Sequence, residues 1–290
     1  MSSKLSPQKN LSKEPLKRPV FAKKSLGQNF LEDKNIVNKI IASTWANQND
    51  VILEIGPGLG ALTIPLAYHC HKIIAVEKDE QLADELKTSL KKLSINNVEI
   101  IEADILKELA KGKTSQIVKK LGNHYQVVAN IPYYLTSPLI RQLLESANQP
   151  EGITLMIQKE VAQRICSQPP RMSLLSTAVQ YYSDPKVLFY VSKNSFWPKP
   201  KIDSAVIRIE PKRKHSKDAI KFFKVIKAGF SSPRKQILNN LSVGLNKNKE
   251  KIKENILESK LKPTQRAETL TVGDWERLTS IILPNKKTRN

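Results

Sequence analysis

The sequence predicts an α/β protein: a mainly parallel sheet with helices on both faces, followed by a small all-helical C-terminal domain. Between Asp50 and Pro211, apolar runs of strand length alternate with helical patterns, the signature of βαβ units. After Pro211 the strand-like runs stop and apolar residues recur at helical spacing. The basic charge is also unevenly spread, concentrated at the two ends.

Residues 1–22 are rich in Lys, Ser and Pro without periodicity, which predicts a disordered basic extension. A transit peptide is a minor option, since the stretch holds a single Arg, Arg18. An amphipathic segment, Asn35–Thr44, precedes the first strand. Strands are expected at Val51–Ile55, Ile73–Glu77, Val98–Ala103, Val127–Asn130, Ile153–Gln158, Val187–Val191 and Ala205–Ile209. Helices fit between them near Leu59–Cys70, Glu80–Lys92, Ser137–Ser146 and Lys159–Cys166. Beyond the polar stretch Lys212-Arg-Lys-His-Ser216, a helix through Ala219–Ile226 and others at Arg234–Leu245, Lys249–Leu257 and Asp274–Ile282 complete the chain. The expected domains are therefore 23–211 and 212–290.

Lys and Arg total 48 against 27 acids in 290 residues, a net charge of +21. Residues 1–24 carry seven Lys/Arg and one acid, residues 25–210 carry 21 and 19, and residues 211–290 carry 20 and 7. A polyanionic partner is the physical reading, because cations placed on phosphates release counterions. No run is long enough to cross a membrane and the N-terminus has no apolar signal core, which predicts a cytoplasmic protein with no membrane partner. Cys70 and Cys166 form no disulfide framework, and neither is spaced with a His as a metal ligand.

Glu54-Ile-Gly-Pro-Gly-Leu-Gly60 follows an apolar strand and opens a helix. Gly56 and Gly58 let a ligand approach the backbone, and Glu77, at the end of the second strand, suits the hydroxyls of a ribose. A nucleoside-containing cofactor follows, although Gly56, Gly58 and Ala61 also fit the dinucleotide pattern G-x-G-x-x-A. Asp104, after the third strand, suits an adenine amine or a helix N-cap, or both.

Asn130-Ile-Pro-Tyr133 follows the fourth strand. An aromatic amine is a poor nucleophile because its lone pair is delocalised. The Asn130 side-chain oxygen and a backbone carbonyl of Ile131 or Pro132 accept its hydrogens, fix it and favour a pyramidal form. Pro132 stiffens the loop and Tyr133 offers a ring for stacking. In Asn194-Ser-Phe-Trp-Pro-Lys-Pro-Lys201, the rings of Phe196 and Trp197 alternate with Lys199 and Lys201, which suits an extruded base and its phosphates. Arg234 and Lys235 are further candidate RNA contacts in the basic C-terminal part.

With Gln28-Asn-Phe-Leu31, the Phe196-Trp-Pro-Lys-Pro-Lys-Ile-Asp-Ser-Ala-Val206 stretch and Arg266-Ala-Glu-Thr-Leu270, these motifs make the chain from about Phe21 to Leu283 resemble the KsgA-type ribosomal RNA adenine dimethyltransferases, which are Rossmann-like S-adenosylmethionine-dependent methyltransferases. The resemblance implies S-adenosylmethionine contacts at Asn29, Leu31, Gly56, Glu77, Asp104 and Asn130, joined by Gly58 of the glycine loop. It also implies dimethylation of two adjacent adenines near the 3′ end of small-subunit rRNA. A monomer acting on an immature subunit without a metal is expected. Phe230-Ser-Ser-Pro-Arg-Lys-Gln236 departs from the pattern, with Pro233 where relatives usually carry a cation. Two rivals are the related large-subunit rRNA methylases and a non-catalytic RNA-binding factor on the same fold; Tyr134-Leu-Thr-Ser-Pro138 and Asp203-Ser-Ala-Val206 look more like the small-subunit enzymes.

Overall fold

The computed structural model describes residues 27–212 and 219–284. The expected disordered extension lies outside the described residues, as does most of the basic stretch after Lys212. All seven expected strands form one sheet. They are β2 (Val51–Ile55), β3 (Lys72–Glu77), β4 (Val98–Glu102), β5 (Tyr125–Asn130), β6 (Gly152–Gln158), β7 (Ser183–Val191) and β9 (Ser204–Pro211), in the order β4-β3-β2-β5-β6-β9-β7. The first five run parallel, whereas β9 is antiparallel to both β6 and β7. The chain starts at β2, winds outward to β4 and returns to β5 on the other side of β2. That reversal opens a crevice at the carboxyl ends of β2 and β5, where ligands of such sheets bind.

Helix α1 (Lys34–Ser43) is capped by Asp33, whose side chain accepts from the Asn35 and Ile36 amides. It covers one face of the sheet together with α2 (Thr63–Leu66), packing on Ile52, Ile73, Val128, Met156 and Val206. The other face buries Leu53, Ile55, Ile74, Val76, Val127 and Leu155. Against it lie α6 (Thr136–Glu145), α7 (Lys159–Ile165) and α8 (Leu174–Tyr182).

Helix α2 is much shorter than the expected Leu59–Cys70. Gly60 holds φ at +85°, so the chain stays left-handed there and the first helical bond is donated by the Ile64 amide to the Gly60 carbonyl. A Cβ at Gly60 would meet Leu86 Cδ1 at 2.5 Å, so a side chain there would have to displace Leu86 as well as strain the backbone. Beyond Ala67 the amides of Tyr68 and His69 reach back only three residues, so the helix ends in tight turns. Helix α3 (Glu80–Lys92) has the expected bounds. Helix α4 (Ile105–Ala110) starts directly after Asp104, the candidate N-cap, whereas α5 (Gln116–Leu121) was not anticipated; each is barely two turns long. Helix α8 escaped because it is buried on nearly every side, with Ser176, Thr177 and Gln180 interrupting any apolar stripe.

After β9 the described chain is helical: α9 (Ala219–Gly229), α10 (Ile237–Gly244), α11 (Lys249–Glu258) and α12 (Val272–Ile282). Their core is continuous with that of the sheet. Tyr181 of α8 stacks on Phe222 of α9 at 4.0 Å, and fully buried Trp275 sits against Gly229, where a Cβ would fall 2.2 Å from its ring. A further tie crosses from the Met172 amide, which donates to the Glu268 carbonyl at 3.0 Å.

Candidate active site

A cavity of about 1010 Å³ opens at the carboxyl ends of β2, β3, β4 and β5. It is lined by Asn29, Leu31, Gly56, Gly58, Glu77, Asp104, Asn130, Pro132, Tyr133 and Phe196, so the structure brings together every expected cofactor and catalytic candidate. The four expected RNA contacts do not line it. Lys199 and Lys201 are exposed in the loop before β9, and Arg234 and Lys235 are exposed in the turn between α9 and α10. Pro233 is exposed in that same turn.

One wall is built largely by backbone. The Gly58 amide donates to Glu77 Oε2 at 3.1 Å, while the Lys78 and Asp79 amides donate to Oε1 at 2.8 and 2.9 Å. Glu77 is buried, and its carboxylate braces the glycine loop as well as facing the cavity. The expectation of a purely ligand-binding group is therefore too narrow. Asp104 caps α4 through the Leu106 amide at 3.1 Å and pairs with the Lys78 ammonium at 3.0 Å. The Lys78 bond is the main force holding the Asp104 carboxyl below its usual range.

Sequence reasoning gave no separate role to Glu54. It is buried in the cavity wall with no hydrogen-bond partner at Oε2, and burial, helped by the nearby Glu77 charge, pushes its carboxyl up to about 8. An acid on a buried strand next to the glycine turn was the available signal.

The opposite wall is assembled from side chains of distant segments. Asn130 Nδ2 donates to the Asn29 carbonyl at 3.3 Å, which turns the side-chain oxygen away from that bond and leaves it as an acceptor. The Tyr133 hydroxyl bonds the Ser204 hydroxyl at 3.0 Å, and burial raises its pKa. Phe196 is buried in the apolar core while still reaching the cavity.

Residues 27–31 tie the two walls together. β1 (Phe30–Leu31) pairs with β8 (Phe196–Trp197), a small antiparallel ribbon not anticipated from sequence because two residues are too few for a pattern. The Phe30 ring stacks on Trp197 and lies where a Cβ on Gly58 would meet it at 3.3 Å. On the other side Gln28 Nε2 donates to Asp79 Oδ2 at 2.9 Å. His69 and Cys70 lie outside the cavity lining, and burial pushes the Cys70 thiol up to about 12. Among the described residues no three His, Cys, Asp or Glu side chains are grouped to hold a metal, and no helix is long and apolar enough to cross a membrane.

A family profile described as Ribosomal RNA adenine dimethylase matches residues 21–282 of this chain. The chain belongs to that family. Among relatives of the dimethylase family, Ribosomal RNA small subunit methyltransferase A of Enterococcus faecalis is 37% identical over 284 residues, 95% of each chain. The protein of the same name from Clostridioides difficile is 38% identical over 286 residues, 94% of this chain and 95% of the relative. Two solved structures share the dimethylase fold. The 23S rRNA methyltransferase ErmE has a TM-score of 0.69 at 22% identity, covering 87% of this chain and 98% of that one. A dimethyladenosine transferase from Plasmodium falciparum has a TM-score of 0.69 at 24% identity, covering 86% and 95%. The expected Rossmann-like sheet with a helical C-terminal region is thereby established.

Proposed function

We propose that this chain is an rRNA adenine dimethyltransferase that uses S-adenosylmethionine to dimethylate the exocyclic amines of two adjacent adenines near the 3′ end of small-subunit rRNA. The observation that carries the reading is the single cavity in which a glycine loop with an acidic strand end faces the Asn130-Ile-Pro-Tyr133 loop. Family membership and the small-subunit enzymes among the relatives favour this substrate over large-subunit rRNA. We further propose that it acts in the cytoplasm, as a monomer, on immature subunits. Residues 23–211 carry the chemistry, and the basic helical part, 212–290, together with Lys199, Lys201, Arg234 and Lys235, holds RNA.

The cavity fits the cofactor chemically. Glu54 Oε2 is an orphaned buried acceptor suited to an ammonium group, and Glu77 retains lone pairs for ribose hydroxyls. Asp104 sits where it can accept from an adenine amine once Lys78 yields. Asn29, Leu31, Gly56 and Gly58 complete the lining. When bound, S-adenosylmethionine supplies a methyl group on a positively charged sulfur, already a strong electrophile.

The protein's remaining task is orientation. Asn130 accepts one hydrogen of the target amine through its side-chain oxygen, and a backbone carbonyl of the Ile131-Pro132 turn accepts the other. The nitrogen lone pair is thereby localised toward the methyl group, and the displaced proton passes to water. Tyr133 and Phe196 flank the extruded base. Tyr133 is anchored by Ser204, which fixes its ring. No dedicated base or covalent enzyme intermediate is required.

Labelled S-adenosylmethionine supplied with immature small subunits, mature small subunits or naked large-subunit RNA, followed by mapping of the labelled nucleotide, tests the reading. Label confined to two adjacent adenines of the immature small subunit is expected. Label on large-subunit RNA, or on no RNA, overturns it.

A further inference from the structure

Outside the cavity, on the same carboxyl edge of the sheet, an aromatic ring is held open to solvent. Tyr190 of edge strand β7 is 52% exposed although it lies next to the buried Val191. Strand alternation turns Val191 toward the face covered by α1 and Tyr190 toward the face covered by α7. There the Lys159 ammonium stands 5.2 Å from the centre of its ring, and Gln163 Nε2 donates to its hydroxyl at 3.4 Å. A ring so fixed, with a cation over one face and about half its surface open to solvent, is suited to a flat group attached to a negative charge.

Its attachment to the active site runs through the strand ladder. Tyr190 pairs with Ala205 and Val191 with Ser204, the residue whose hydroxyl holds Tyr133. Asp203 binds both flanks, accepting at its carbonyl from the Lys159 amide at 3.0 Å and at Oδ1 from the Lys193 amide at 3.1 Å. The platform and the cavity wall are therefore joined through paired backbone.

We infer that Tyr190 and Lys159 form a second nucleotide subsite, which stacks the adenine neighbouring the one in the cavity and holds its phosphate. The inference rests on the proposed function and adds to it. If two adjacent adenines are modified in turn, the one not reacting waits outside the cavity, unmethylated in the first round and methylated in the second. A stacking face serves both states, because it reads the ring and leaves the exocyclic nitrogen without a required hydrogen bond. The basic chain and the exposed Lys199 and Lys201 nearby in sequence make a polyanion the complementary occupant.

The test compares the wild type with Tyr190→Ala, Tyr190→Phe and Lys159→Gln on small-subunit RNA. Losing one stacked base corresponds to about a tenfold effect. Tyr190→Ala should raise KM for RNA by about that factor, leave S-adenosylmethionine binding unchanged and change kcat less than KM, while Tyr190→Phe stays close to wild type. Lys159→Gln should raise KM and flatten its dependence on salt. With 2-aminopurine in place of one adenine of the pair, its emission should be quenched in the wild-type and Tyr190→Phe complexes and recover in Tyr190→Ala. Equal emission in all three complexes, an unchanged KM in Tyr190→Ala, or Tyr190→Phe as impaired as Tyr190→Ala overturns the subsite. If the wild type methylates no small-subunit RNA, the functional reading fails instead, and the emission comparison, which needs no turnover, still decides the platform.

Discussion

The two walls of the cavity are built in different ways. On the glycine-loop side, three backbone amides converge on one carboxylate, Glu77, and the ligand surface is mostly main chain. On the Asn130 side, a side chain is oriented by one 3.3 Å bond to a residue 101 positions away, and a tyrosine by one hydroxyl 71 positions away. The first wall is set by a local turn; the second depends on Asn29, Asn130, Tyr133, Phe196 and Ser204 being delivered by separate elements. Changes to the first wall should couple folding to cofactor binding, and changes to the second should alter chemistry with little effect on folding.

The largest break is expected at Glu77. Glu77→Ala removes an acceptor from three amides and from the ribose, so cofactor affinity should fall by roughly 2–4 kcal/mol, and thermal unfolding should show a loss of stability as well. Calorimetry giving the wild-type dissociation constant would falsify the ribose role; an unchanged melting temperature would remove the bracing role. Next comes Asn130→Ala, for which turnover should fall by about a hundredfold or more with RNA binding and melting temperature nearly intact. Near-normal single-turnover rates would show that the second wall does not orient the amine.

Glu54 sharpens the comparison within the first wall. Its folded carboxyl is raised to about 8, so the folded chain holds a proton that the unfolded chain releases at the ordinary value of 4.5. Stability from this group is therefore fully present below the ordinary value and is lost as pH rises toward 8, at no more than about 1.4 kcal/mol per pH unit. Glu54→Gln, which keeps the neutral shape, should be more stable than wild type by an amount that grows over that window, measured by denaturant unfolding without cofactor. A difference independent of pH would mean that Glu54 is ionised in the fold. The smallest effect lies away from both walls: replacing Arg234 and Lys235 with Gln should reduce the slope of log affinity for RNA against log salt by about one to two. A constant slope, with binding abolished by charge reversal near the sheet, would relocate the RNA surface.

Much of the first wall was legible because its information is local. The glycine spacing, the acid closing β3 and the acid after β4 lie close along the chain, and strand periodicity places them at one sheet edge. The Leu59–Cys70 helix was misread where a glycine in the left-handed region outweighed helical spacing. Asn130-Ile-Pro-Tyr133 was legible as a motif, yet nothing local says that the Asn29 carbonyl turns Asn130, that Ser204 anchors Tyr133, or that Phe30 covers Gly58.

By itself the sequence determined the seven strands, most of the helices, the basic ends and the residue types of the site, because periodicity, turn chemistry and charge act over short stretches of chain. The tertiary structure alone decided which side-chain atoms are already engaged. Glu77 is held by amides, Asp104 by Lys78 and a helix end, Glu54 is buried with an unpartnered oxygen, and Tyr190 stands open beside Lys159. Those states depend on burial and on partners brought from other strands, and neither is encoded in the spacing of neighbouring residues.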